Sequence, residues 1–327
     1  MPPMTTIPIF FVLAVSLTIA FYLSVTVLLR IRQSADSADR TPSKAMIFGI
    51  SFLDASLVVA CVAALYTPPP EPIRTHDVES ARLIAELLAQ PKYQEPLRLA
   101  RFEGKVFSQN GEDGILAEIF RRIGVTNRQF VEFGSADGLE NNTVYLLRMQ
   151  GWGGVWLDGD DALIARARRH FAKEVGEKRL NADVAFITAE NVEQLFAAHG
   201  VPKEPDLLSI DIDRNDWHVW KAIQAYRPRV VVIEYNSVFS PAIDWVVPYD
   251  GQKWWDHTVN FGASLKAYER LGTEKGYKLV GCNFSGINAF FVRDDLVGEK
   301  FAAPYTAENH YEPPRYWMTW SGHTRQP

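Results

Sequence analysis

The chain has 327 residues, 47% of them hydrophobic, a net charge of −5 and two cysteines. That length can bury one large domain and still leave apolar sequence over. A net negative chain argues against a nucleic-acid surface, and Cys61 and Cys282 are too far apart in sequence for zinc-like spacing, so neither a disulfide scaffold nor a structural metal is indicated.

Residues 7–29 carry no charged side chain. At about 1.5 Å per residue they are long enough to cross a hydrocarbon core of about 30 Å. A transmembrane helix is predicted rather than a cleaved signal peptide, because no Lys or Arg precedes the run. A second apolar run, residues 46–66, contains Asp54, which is costly at mid-membrane. If both span, they form a hairpin whose joint carries Arg30, Arg32, Arg40 and Lys44 and belongs in the cytoplasm. That arrangement would return the rest of the chain to the opposite side. The cytoplasm is nonetheless the expected place of the large domain, because the charge bias rests on only a few residues. The expected organisation is a membrane anchor of one or two helices over residues 1–70, a helical linker over 71–106 and a catalytic-type domain over 107–327.

From residue 74 the periodicity changes. Val78, Ala81, Ile84, Leu87 and Leu88 fall at helical spacing within residues 76–90, and residues 115–123 repeat the pattern. Five short apolar runs follow at 130–133, 155–157, 184–187, 207–212 and 230–233, separated by segments long enough for helices. Such alternation implies a parallel sheet with helices on both faces, since parallel strands need crossover connections. An aromatic loop at 239–255, a helix at 264–275 and two runs, 278–282 and 288–292, joined by Ser285-Gly286, complete the pattern. A Rossmann-like α/β fold with seven strands, one of them antiparallel, is expected, with ligands beyond the carboxyl ends of the strands. The tail from Pro304 is expected to pack as a covering loop.

The first of these runs leads into Glu132-Phe133-Gly134-Ser135-Ala136-Asp137-Gly138, and the second ends in Asp158. A glycine turn at a strand end admits a ligand to the backbone, and an acid ending the next strand accepts hydrogen bonds from ribose hydroxyls. Asp158 lies about 24 positions beyond Gly134, near the roughly 20 expected of a βαβ unit. The middle glycine of a dinucleotide fingerprint is replaced by Ala136, and Glu132 and Asp137 would repel a pyrophosphate. A cationic ligand such as S-adenosylmethionine suits these acidic walls.

The fourth run ends in Asp211-Ile212-Asp213-Arg214-Asn215-Asp216, and the fifth in Glu234 and Asn236. Asp211 and Asp213 would share one face of a strand. Like charges this close favour proton uptake by one of them, as a general base requires. Asp211, Asp213, Glu234 and Asn236 suit Mg²⁺, which takes hard oxygen ligands, and equally suit a metal-free acid–base set. Asp213, Asn215 and Asp216 are also helix-capping types, and for Asp216 the cap is preferred. His218 and His257 are further base candidates. Trp217, Trp220, Trp245, Trp254 and Trp255 are expected in the core or in a lid.

Taken in order, the blocks Phe107-Ser108-Gln109-Asn110-Gly111-Glu112-Asp113, residues 131–138, 156–158, 209–213 and 231–236 resemble the class I S-adenosylmethionine-dependent methyltransferases, most closely the FkbM-type branch. The resemblance covers residues 107–293. It implies methyl transfer from S-adenosylmethionine, usually to oxygen, onto a small-molecule or glycan acceptor. Carried over, Gly134, Ser135 and Gly138 would lie against the cofactor, Glu132 and Asp137 near its methionine end, and Asp158 on its ribose. Gln109 and Asp113 would close over the amino acid moiety, and Glu190-Asn191 would stand near the adenine. Asp211, Asp213 and Glu234 would carry the catalysis. Two rival functions remain: a metal-dependent glycosyltransferase using Asp211 and Asp213, and a non-catalytic binding domain of the same fold.

Overall fold

A computed structural model describes residues 75–315. The apolar runs at 7–29 and 46–66 lie outside the described residues, among which no helix is long and apolar enough to cross a membrane.

The described chain begins with α1 (Thr75–Leu88), α2 (Pro91–Gln94) and a short 3-10 turn, and then α3 (Glu112–Ile123) leads into the sheet. The sheet strands are β1 (Gln129–Phe133), β2 (Gly153–Asp158), β3 (Leu180–Val184), β4 (Leu207–Ile210), β5 (Val230–Glu234), β6 (Tyr277–Cys282) and β7 (Asn288–Arg293). The crossovers carry α4 (Val144–Met149), α5 (Asp161–His170), α6 (Ala172–Gly176), α7 (Val192–Ala198), α8 (Asp216–Ala222) and α9 (Leu265–Glu274), and α10 (Asp294–Val297) and α11 (Ala307–His310) follow the last strand. Strand order is β3-β2-β1-β4-β5-β7-β6. Five neighbouring strands are parallel, and β7 runs antiparallel between β5 and β6. The expected mixed seven-stranded sheet is therefore what the chain forms.

Alternation along β1 divides the core. Val131 and Phe133 pack on one face with Leu208, Ile210 and Ile233, while Phe130 packs on the other with Trp156, Leu207 and Val232. Both faces are covered, so the central strands are apolar on both sides, as buried parallel strands are. Helices start where side chains can take up free backbone N–H groups. Asp160 accepts from Ala162 and Leu163 at the head of α5, and Ser264 accepts from Ala267 at the head of α9. In the β6–β7 turn Asn283 Oδ1 accepts from Ile287 and Asn288. Gly286 is left-handed there, and a side chain on it would sit 2.5 Å from the Pro313 carbonyl oxygen. The tail does pack down: Tyr235 donates to the Glu312 carbonyl at 2.6 Å and Arg315 lies over the Phe284 ring.

Most strands differ by a residue or two at their ends from expectation, and the third and fourth differ in ways that bear on the site. The third strand is Leu180–Val184 rather than residues 184–187. It is an edge strand covered on one face, so only Leu180 and Ala182 are buried, and the strand alternates where a continuous apolar run was sought. Val184, which ends it, and Phe186 beyond it are exposed, while Ile187 is buried. The fourth strand stops at Ile210, so Asp211 and Asp213 lie in the loop beyond it, and Asp213 adopts a left-handed φ of 64°. Asp211 and Asp213 therefore do not share a strand face, contrary to expectation.

The amino ends of three strands are tied by one carboxylate. Asp206, fully buried before β4, accepts from the backbone N–H groups of Thr126, Asn127 and Arg128 before β1, and pairs with Arg229 before β5 at 2.5 Å. Burial alone would raise its pKa, but Arg229 and the N–H donors outweigh burial and hold it below the usual carboxylate range. Its stabilisation is therefore present above the unfolded-state pKa and is lost as pH falls through the lower folded value. Asp206→Asn should cost about 3–5 kcal/mol in urea unfolding at neutral pH, because Arg229 is left buried and unpaired. The deficit should shrink in acid.

Candidate functional site

The carboxyl ends of β1, β2 and β4 open into a cleft of ≈ 710 Å³, within the range typical of small-molecule sites. Its floor comes from the loops after β1 and β4, which touch. Gly134 has φ +67°, and a Cβ on it would lie 1.7 Å from the carbonyl oxygen of Asp211. Glycine is required at 134 by that crossing of two backbones. Asp158, ending β2, lines the same cleft and shapes its wall: one carboxylate oxygen accepts from Ala136 N at 2.8 Å, the other from Asp160 N at 2.9 Å. The first bond holds Ala136 in its left-handed conformation. The far wall is apolar, with Phe186 and Ile187 after β3 and Trp254 from the aromatic loop.

Past β4 and β5, one oxygen each from Asp211, Asp213 and Glu234 lie within 4.8 Å of one another. The loop after β4 carries Asp211 and Asp213 toward Glu234 at the end of β5. Asp216 organises the loop from below: it is fully buried, and Oδ1 accepts from Ile212 N at 2.8 Å while Oδ2 has no partner. Burial pushes its pKa up to about 7 against the opposing effect of the Ile212 bond. Neither it nor Asn215 caps α8 with its side chain, contrary to the capping expectation. Asn215 Nδ2 instead donates to the carbonyls of Asp250 and Lys253, fastening the aromatic loop beside the cleft. The Tyr268 hydroxyl is buried without a hydrogen-bond partner. Burial, reinforced by Asp216, Glu234 and Asp211, raises its pKa well above the usual phenol value.

Of the residues expected to bind a cofactor, Gly134 and Asp158 line the cleft, and the others stand elsewhere. Glu132 points to the opposite sheet face, where it is buried and accepts from Asn142 N at 2.8 Å and Thr143 Oγ1 at 2.5 Å, fixing the head of α4. Trp156 Nε1 completes the chain by donating to Thr143 Oγ1. Gly138 is left-handed and packs against Trp156 and Phe171, leaving no room for a Cβ. Ser135 is fully buried, and Asp137 accepts from Leu139 N at 3.3 Å and lies 3.8 Å from Arg166. Asp113 Oδ2 takes three backbone N–H groups, from Val106, Phe107 and Ser108, and Ser108 Oγ accepts from Asp113 N in return. That reciprocal clamp closes the turn ahead of α3. Gln109 lines a separate cavity of ≈ 190 Å³ beside Glu103 and Phe284.

Asn236 donates to the carbonyls of Val259 and Phe261, and Glu190 accepts from Tyr249 while Asn191 holds Thr188 and Phe186. His218 is half-buried with Nε2 on the Val247 carbonyl, and burial lowers its pKa. His257 is exposed against Trp255. Asn215, Phe186 and Trp254, all lining the cleft, were not singled out as site residues. Only the position of Asn215 directly after the acidic run could have marked it.

No protein-family model matches the chain, and no curated protein matches it. Solved structures do resemble it. An O-methyltransferase from Bacillus cereus in complex with S-adenosylhomocysteine is 16% identical, over 72% of this chain and 95% of that one, with a TM-score of 0.36. The N-terminal domain of EvdMO1 with S-adenosylhomocysteine bound is 16% identical over 67% and 97%, with a TM-score of 0.37. Magnesium protoporphyrin IX methyltransferase from Synechocystis PCC 6803 with bound S-adenosylmethionine is 9% identical over 65% and 97%, with a TM-score of 0.36. Likeness of this degree assigns no activity, which has to come from the chain's own residues.

Burial pushes the Glu132 carboxyl up to about 7, against the opposing hydrogen bonds from Thr143 and Asn142. Because the folded value is the higher one, the stabilisation is complete below the unfolded pKa and is lost as pH rises through about 7. Chemical unfolding from pH 4 to 8 should therefore show Glu132→Gln losing less stability than the parent, by roughly 2–3 kcal/mol. Parallel curves would mean that Glu132 has the same pKa folded and unfolded.

Proposed function

We propose that the cleft binds S-adenosylmethionine and that the chain is an O-methyltransferase of the FkbM type, acting on a hydroxyl of a small-molecule or glycan acceptor. The observation that carries this is the meeting, on one sheet edge, of the Gly134–Asp158 cradle with the acidic centre of Asp211, Asp213 and Glu234. The charge of the cleft fits that cofactor. Asp158, Asp160, Asp161, Asp211 and Asp213 line it against a single ammonium, Lys253. Such a wall disfavours the phosphates of a dinucleotide and favours a cation. Bound there, S-adenosylmethionine would supply a methyl group activated for transfer by its positive sulfur.

Asp158, at the end of β2, would accept the ribose hydroxyls with its remaining lone pairs, and Phe186 and Ile187 offer an apolar wall for the base. Asp211, Asp213 and Glu234 would hold the acceptor hydroxyl and take its proton as the oxygen attacks. Most of the acceleration in such a displacement comes from alignment, and the hydrogen bonds that pin the loops after β1 and β4 provide it. A second reading has a specific basis: three carboxylate oxygens within 4.8 Å of one another could be drawn onto one Mg²⁺ by small side-chain shifts, since that ion takes hard oxygen ligands, and the ion would then orient the acceptor oxygen. In the same proposal the apolar runs at 7–29 and 46–66 tether the enzyme to a membrane with its catalytic part in the cytoplasm, where the cofactor is made.

Calorimetric titration of the full chain with S-adenosylhomocysteine should show binding, weakened at least tenfold in Asp158→Ala. A folded parent that binds none would sink the proposal and turn attention to sugar nucleotides. Once an acceptor is found, chelation with EDTA separates the two readings of the acidic centre. Activity lost and restored by Mg²⁺ identifies a metal site, whereas unchanged activity identifies an acid–base set, and Asp213→Asn should lower kcat by at least about tenfold in either case.

A further inference from the structure

Among the described residues, five that are not glycine adopt left-handed backbone: Arg128, Ala136, Lys178, Asp213 and His257, with φ of 53°, 44°, 57°, 64° and 64°. Such conformations are unfavourable for residues that carry a Cβ, and they gather where the surrounding structure imposes them, often at functional sites. Ala136 and Asp213 line the catalytic cleft. Arg128 and Lys178 line a second concavity, of ≈ 350 Å³, at the opposite edge of the sheet, where β1, β2 and β3 begin.

The backbone around this groove fixes both residues. Asp206 accepts from Arg128 N at 2.7 Å, and the Arg128 carbonyl accepts from Gly153 N. Lys178 N donates to the Val175 carbonyl at the end of α6. Glycine or asparagine would meet the turn geometry at lower cost, yet both positions present a long cation instead.

The charge of the groove runs against that of the chain, whose net charge is −5. Arg128, Lys178, Arg179 and His199 line it. Arg179 is engaged, donating to Glu177 and to the Leu147 and Trp152 carbonyls, and His199 Nδ1 lies 3.0 Å from Asn181 Nδ2. Among the described residues, Arg128 and Lys178 have no carboxylate partner within salt-bridge reach. Asp206 is buried and turned inward onto Arg229, and Glu177 is paired with Arg179. Gly151 and Gly200 add backbone with open space above it.

We propose that this groove is a site for a phosphate group, borne by a soluble metabolite or by a lipid headgroup, and separate from the catalytic cleft. The cleft, with its five carboxylates, could not hold the same group unaided. Arg128→Asn/Lys178→Asn is the informative variant, since asparagine tolerates left-handed backbone and the change removes two positive charges. Full-length parent and double variant would be titrated with inorganic phosphate and sedimented with vesicles of phosphatidylglycerol or of phosphatidylcholine, with thermal unfolding as the control for folding. Phosphate binding weakened at least tenfold at unchanged Tm is expected. A preference of the parent for phosphatidylglycerol that the variant loses would assign the phosphate to a lipid, and phosphate binding without that preference would assign it to a soluble ligand. Equal binding by parent and variant, or no binding of either probe by the parent, would overturn the site.

Discussion

Gly134 meets the carbonyl of Asp211 so closely that no side chain could stand between them, and the arrangement of the cleft depends on that contact. It joins the loops after β1 and β4, which are distant in sequence but adjacent in the sheet. With the loops locked, Asp158 reaches across to hold Ala136, and Asp216 reaches up to hold Ile212. The acidic centre thus sits beside the cradle because backbone has been pressed against backbone. A ligand there would meet groups already in position, which is the condition under which electrostatic and alignment effects are largest.

Buried acids carry much of the remaining organisation, in two different ways. Asp206 is ionised and surrounded by an arginine and N–H donors at the amino edge of the sheet. Glu132 and Asp216, at the carboxyl edge, have fewer donors and correspondingly raised pKa values. The difference follows from partners rather than depth, since all three are buried. One edge of the sheet is therefore a fixed structural clamp, and the other holds groups whose charge changes near neutral pH.

Much of the fold was legible because periodicity and buried parallel strands leave strong apolar signals. The central strands and the closing hairpin were placed from those runs alone. The third strand lies earlier than its apolar signal because an edge strand buries only alternate residues, whereas the apolar run at 184–187 begins at its last residue. The candidate site was legible in parts. Asp158 and Gly134 line the cleft, but Glu132, Asp113 and Gly138, drawn from the same motifs, hold a helix head, a turn and a ring stack. A motif records which residue types stand near a strand end without saying toward which face each one turns.

By itself the sequence determined the alternation of strands and helices, the edge of the sheet at which acids and glycines collect, and the absence of a dinucleotide fingerprint. These follow from local rules of periodicity, turn chemistry and charge. Only the tertiary structure decided that Asp211 and Asp213, from the loop after β4, converge on Glu234 at the end of β5, that Asn215 fastens the aromatic loop, and that Arg128 and Lys178 share a groove at the opposite edge. Each of those facts depends on strand order and on contacts between residues far apart in the chain, which no local pattern encodes.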